Sequence, residues 1–156
     1  MNYKAFLLFL CTILYGDIHV FNRSAGTETE IKTLSNARLL YISAKDLARS
    51  FTSKIYENSE RKKIVLYISG VKVKISGNSS YIIIDDNAYQ MPEITIVREN
   101  DLYLPAEYFL NLLKSTILPG INFDTKKELL EIDVIRFNIT DIDIDVKSNG
   151  TIIRLK

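Results

Sequence analysis

The chain has one histidine, one cysteine and no tryptophan, and the first two scarcities each remove a class of chemistry. His19 alone cannot assemble a catalytic metal site built on two or three imidazoles. Cys11 alone rules out an internal disulfide and a zinc site of mixed Cys and His ligands. A nucleophile–His–acid hydrolase arrangement has only His19 to draw on, close to the N-terminus. Charge of one sign is lacking too. Twenty basic residues against 19 acidic ones give a net charge of +1, which makes no electrostatic case for nucleic acid. The one basic triplet, Arg61-Lys62-Lys63, falls between two predicted strands and reads as a solvated turn. A long hydrophobic run is also missing. Ala5–Leu14 is uncharged and apolar for ten residues, whereas a bilayer-spanning helix needs about 20.

That short run, with Lys4 before it, fits an export signal over 1–16. Gly16 suits the position before a cleavage, Leu14 suits its own less well, and Leu10 is too large for a lipoprotein site at Cys11. Cys11 therefore reads as one more hydrophobe of the signal. Cleavage after Gly16 would remove Lys4 and the only Cys, leaving a neutral mature chain stabilised by its core alone. The 156 residues, 47% hydrophobic and 25% charged, fit one globular domain or one domain plus a fragment.

The strongest pattern is an internal repeat. Leu39-Leu40-Tyr41-Ile42-Ser43-Ala44 and Asp101-Leu102-Tyr103-Leu104-Pro105-Ala106 each read as a strand ending in Tyr, an apolar residue and a helix start. Ser43 is a predicted N-cap with Asp46 as its partner, and Pro105 suits the first helical turn. Ala44, Leu47, Ala48 and Phe51 form one apolar helix face; Phe109, Leu110, Leu112 and Leu113 form the other. An aromatic strand, a charged turn and an apolar strand follow each helix: Lys54–Glu57 then Ile64–Ile68, and Ile121–Asp124 then Leu129–Val134. The expected fold class is α+β: a β-rich domain of two pseudo-repeated strand–helix–strand–strand units, then a C-terminal β-hairpin.

Between the units, Val71–Ile75 alternates and puts Lys72 and Lys74 on a wet face, with hairpin turns at Gly70 and at Gly77–Ser80. Tyr81–Asp85 reads as a buried strand, Asp86-Asn87 as a turn, and Ile94–Val97 as an edge segment after Met91-Pro92. Residues 17–36 read as a linker or leader with a short strand at Glu30–Leu34. At the far end, Phe137–Val146 and Thr151–Leu155 read as strands joined by Lys147–Gly150. The expected domains are therefore 1–16, 17–36, 37–135 and 136–156.

Asp141-Ile142-Asp143-Ile144-Asp145 imitates the start of a calcium loop. Val146 stands where that loop needs Gly and Ile152 where it needs Glu, so strand alternation explains it better, with Ile142, Ile144 and Val146 inward. No pair among the many Asp and Glu is singled out for glycoside hydrolysis. Tyr56, Tyr67, Tyr81, Tyr89, Tyr103 and Tyr108 read as core or sheet-face residues, and sugar stacking stays open to them. The sequence thus nominates no catalytic, cofactor-binding or metal-ligating residue, and leaves the binding residues unidentified.

Over about 38–135 the pattern resembles the copper amine oxidase-like N-terminal domain, a stalk-type module of secreted bacterial proteins. Tyr41–Ala48 with Tyr56–Ile68 looks like one copy of its repeat, and Leu102–Leu110 with Phe123–Ile132 like another. Tyr56 and Phe123 stand where the family commonly has Trp, and the usual Arg after the helix start is absent. The resemblance implies a scaffold and no metal or quinone chemistry. Asn138–Lys156 is similar to the opening strands of the amidase N-terminal (AMIN) domain, which localises N-acetylmuramoyl-L-alanine amidases by binding peptidoglycan. Together these imply an exported, non-catalytic module, periplasmic or at the cell envelope, that binds or positions peptidoglycan. The alternatives are the front part of a cell-wall amidase and, in a third class, a small exported glycosidase.

Overall fold

A computed structural model describes residues 16–36, 39–133, 142–147 and 150–155. The apolar run at 5–14, Cys11, Phe137, Asp141 and the turn residues Ser148 and Asn149 lie outside them. In chain order the strands are β1 (Ile18–Asn22), β2 (Thr27–Ile31), β3 (Thr33–Asn36) and β4 (Leu39–Ser43), followed by helix α1 (Ala44–Ser50). Next come β5 (Lys54–Asn58), β6 (Lys63–Ile68), β7 (Val71–Ser76), β8 (Tyr81–Ile84), β9 (Asn87–Gln90), β10 (Ile96–Arg98) and β11 (Asp101–Pro105). Helix α2 (Ala106–Thr116), β12 (Ile121–Asp124), β13 (Leu129–Ile132), β14 (Ile142–Lys147) and β15 (Gly150–Leu155) complete the order.

The strands form four sheets, ordered β12-β13-β1-β2, β10-β11-β4-β3, β5-β6-β7-β8-β9 and β14-β15. The first three surround a common core with both helices. Ile18, Ile31, Ile42, Leu66, Ile75, Leu104, Phe109 and Leu130 are among its fully buried side chains. Every pairing is antiparallel except β1 against β13. At the centre of the second sheet β4 and β11 lie antiparallel with Ile42 opposite Leu104, Tyr41 opposite Pro105 and Ser43 opposite Tyr103.

The expected cap is present: the Ser43 hydroxyl accepts from the Asp46 N–H at 3.0 Å. It also donates to Asp101 on β11, so one hydroxyl ties the start of α1 to the neighbouring strand. Pro105 occupies the N-cap of α2 and makes no side-chain cap bond, since its ring carries no acceptor. Three two-residue turns, Ser69-Gly70, Asp85-Asp86 and Glu99-Asn100, have positive φ at both central residues. That is the type I′ geometry whose twist matches the flanking strands.

Several expectations need correction. Residues 17–36 are not a linker or weakly ordered leader; they form β1, β2 and β3, with Ile18, Val20, Ile31 and Leu34 buried. Their polar composition misled because buried polar groups join them to α1. Asn22 Nδ2 donates to the Ser50 carbonyl at 3.1 Å, and the Thr29 and Ser50 hydroxyls meet at 2.8 Å. Lys32 N–H donates to Asp46 Oδ2 at 3.0 Å, and Asp46 also pairs with Arg49. The β8–β9 turn is Asp85-Asp86, one residue earlier than expected. Tyr81, placed in a buried strand, is 54% exposed. In the C-terminal pair Ile144 and Val146 do not face inward but are exposed, because β14 pairs only with β15 in a separate sheet. Tyr56 and Phe123 are not equivalent in register. Phe123 directly precedes Asp124 at a four-residue turn, and the residue so placed before Asn58 is Glu57.

Candidate binding faces

Strand alternation aims one set of side chains from each sheet at the core and the other at solvent. In the five-stranded sheet, Ile64, Leu66, Val73, Ile75, Ile82 and Ile84 point inward and are buried. The outer set then follows from the register. Tyr67 lies between Lys54 on β5 and Lys72 on β7, and Val65 lies between Tyr56 and Lys74. Lys63 faces Asn58 and Ser76, and Tyr81 faces Gln90. Tyr56, Tyr67 and Tyr81 are 61%, 40% and 54% exposed, so three aromatic rings share one outer sheet face. No strand position on this face carries an acidic residue. At its rim Asp86 accepts from Lys74 Nζ at 2.7 Å, and that bond holds the Asp86 carboxyl below the ordinary aspartate range.

The outer face of the β12-β13-β1-β2 sheet has the opposite sign. Glu28 and Glu30 on β2 flank Phe21 and His19 on β1, with Glu131 on β13 across from Phe21. Arg23 donates to Glu131 at 2.7 Å and lies 5.7 Å from the Phe21 ring centroid. The Arg23 hydrogen bond, with a second from Asn122, keeps Glu131 below the ordinary glutamate range. An open depression of about 370 Å³ here is lined by His19, Phe21, Glu28, Leu129 and Glu131.

A depression of about 400 Å³ opens beside the β10-β11-β4-β3 sheet and is lined by Asp17, Lys32, Thr33, Leu34, Arg98, Glu99 and Tyr103. Tyr103 forms a small satellite cluster with Leu34 and Tyr41. Burial, and secondarily the charge of Glu93, raises the Tyr41 phenol above its usual value.

Among the described residues no group of three or more His, Cys, Asp or Glu side chains is gathered to hold a metal ion. No described helix is long and apolar enough to cross a membrane. His19 sits 3.5 Å from Glu30 on an exposed sheet face. Asp143 and Asp145, the described part of the acidic motif, lie opposite Arg154 and Ile152 in the β14–β15 pair. Of the tyrosines weighed from sequence, Tyr103 is buried, Tyr89 half-buried and Tyr108 exposed on α2. Sequence reasoning missed the convergence of Tyr56, Tyr67 and Tyr81 with the lysines. The alternation around Lys72 and Lys74 was the available signal, but five strands had to be put in register before it became a surface.

The family model for the copper amine oxidase N-terminal domain matches residues 22–119. No curated protein and no solved structure matches the chain. The matched span runs from the end of β1 to the end of α2 and takes in the whole tyrosine–lysine sheet. The domain is a non-catalytic module, and this chain belongs to the copper amine oxidase N-terminal domain family.

Proposed function

We propose that the chain is an exported, non-catalytic cell-envelope module that binds or positions peptidoglycan. The observation that carries this reading is the broad, exposed tyrosine–lysine sheet face of a domain whose family is non-catalytic. Such a face suits recognition by contact, in which rings and charges meet a ligand without a reacting group. Export rests on the apolar run at Ala5–Leu14 with Lys4 before it. The scaffold is read as pseudo-two-fold. Supporting this, β4-α1-β5-β6 and β11-α2-β12-β13 follow the same order, and β4 and β11 pair antiparallel about Ile42 and Leu104. Both units also close with a four-residue turn begun by a side-chain acceptor, Asn58 in one and Asp124 in the other.

Co-sedimentation with purified sacculi tests the function. Retention well above that of an unrelated exported domain is expected, without release of soluble fragments. Fragment release by the purified chain would favour a small glycosidase instead.

A second reading is favoured by the C-terminal strand pair, whose Ile144, Val146 and Ile153 are 60%, 75% and 62% exposed. Two strands alone are marginal, so these side chains fit the opening of a further β domain such as AMIN ahead of an amidase. Coding sequence continuing past Lys156 into a His/Glu zinc pattern would support that reading. Unrelated sequence would remove it.

A further inference from the structure

We infer that the outer face of the β5–β9 sheet binds an anionic polysaccharide, with pyranose rings on Tyr56, Tyr67 and Tyr81 and acid groups on Lys54, Lys63 and Lys72. The inference rests on the reading of the chain as a wall-binding module and names the surface and ligand chemistry behind it.

Three observations carry it. First, the register sets the Tyr67 ring between two lysines, Lys54 and Lys72, directly across on neighbouring strands. Groups so placed lie about 5 Å apart, within reach of one sugar and its acidic substituent. Second, Lys54 and Lys63 make no ion pair with any described residue. Neither ammonium is therefore held at ion-pair distance by a described carboxylate. The opposite-signed surface lies on a different sheet, around Glu28, Glu30 and Glu131. Third, strand spacing separates Tyr81 from the other two rings by roughly 16 Å, so the face suits an extended chain better than a small molecule. A pyranose presents an apolar C–H face to an aromatic ring and carries hydroxyls at its rim. A plain polyanion would use the lysines and leave the tyrosines idle; a neutral glycan would do the reverse. Of these three an acidic glycan uses both.

The test is chemical-shift mapping of the isotopically labelled chain with three probes: a galacturonic acid hexamer, chitohexaose and inorganic polyphosphate. The uronate hexamer should bind tightest, shift residues of β5–β8, and weaken as salt is raised. K54Q/K63Q/K72Q should lower its affinity about tenfold, at about half a kcal/mol for each exposed pair. Y56A/Y67A should lower the affinity for both sugars while leaving polyphosphate unaffected. E28Q/E30Q, on the acidic sheet, should not weaken binding. Shifts confined to another face, tighter binding of polyphosphate than of the uronate, or no shift with any probe would overturn the inference. Sacculus retention undiminished in K54Q/K63Q/K72Q would remove this face and leave the envelope reading standing. Uronate binding without sacculus retention would do the reverse.

Discussion

At the scale of single residues, the fold depends on a few buried polar atoms and one closely packed glycine. Ser43 does two jobs with one hydroxyl, accepting from the Asp46 N–H and donating to Asp101. Ser43→Ala should therefore cost at least the roughly 1 kcal/mol of a lost N-cap, read as a lower midpoint in urea unfolding. Gly77 is fixed by space. A Cβ there would lie 2.5 Å from Val97 Cγ2 and 3.1 Å from Lys62 Cβ. Beside it, Thr95 of the β9–β10 connection is fully buried against the β7–β8 turn, its N–H donating to the Ser79 carbonyl and its hydroxyl to the Ser76 carbonyl. Gly77→Ala should destabilise by about 1–3 kcal/mol through overpacking. Because the nearest atom is a Val97 methyl, V97A should recover part of that loss in the double variant. Equal loss in the single and double variants would place the strain in the backbone instead.

At the scale of elements, turns and caps were legible where chemistry is local. The Ser43 cap, the two helix faces and the Val71–Ile75 alternation could be read from neighbouring residues. The role of 17–36 could not. Thr27-Glu28-Thr29-Glu30-Ile31 alternates, but its strand is fixed by a partner, Asn22 to Ile18, and by the Lys32–Asp46 bond to a helix 14 residues away. Such long-range satisfaction of backbone groups leaves no local mark. The equivalence of Tyr56 and Phe123 failed for a related reason, since register is set by the four-residue turns rather than by the aromatic itself. Those turns also give a pH prediction. The Asp124 carboxylate accepts from the Lys127 and Lys126 N–H groups, and the Lys127 bond foremost lowers its pKa. Its contribution to stability is complete above the ordinary aspartate pKa and is lost as pH falls through the lower folded value. Asp124→Ala should therefore melt below the wild type at neutral pH, with the gap narrowing in acid. D124N, which keeps an acceptor as Asn58 does in the β5–β6 turn, should hold the turn without that pH dependence.

At the scale of the whole molecule, three sheets and two helices share one core, and two of those sheets present outer faces of opposite charge. A net charge of +1 conceals this, which is why composition excluded a strongly basic protein yet could not reveal a basic face. The family of the domain was legible from the strand-to-helix junctions at Tyr41 and Tyr103 because their chemistry is local. The tyrosine–lysine face was not, because Tyr56, Tyr67 and Tyr81 come onto one surface only when β5 to β8 are aligned.

The central claim is that this surface serves adhesion to the wall rather than catalysis. Its most direct measurement is a binding isotherm of the purified chain on isolated sacculi, alongside an unrelated exported domain of similar size and charge. Saturable retention that weakens with salt, while the sacculi stay intact, is the predicted result. Retention no greater than that of the control domain at any concentration would contradict it.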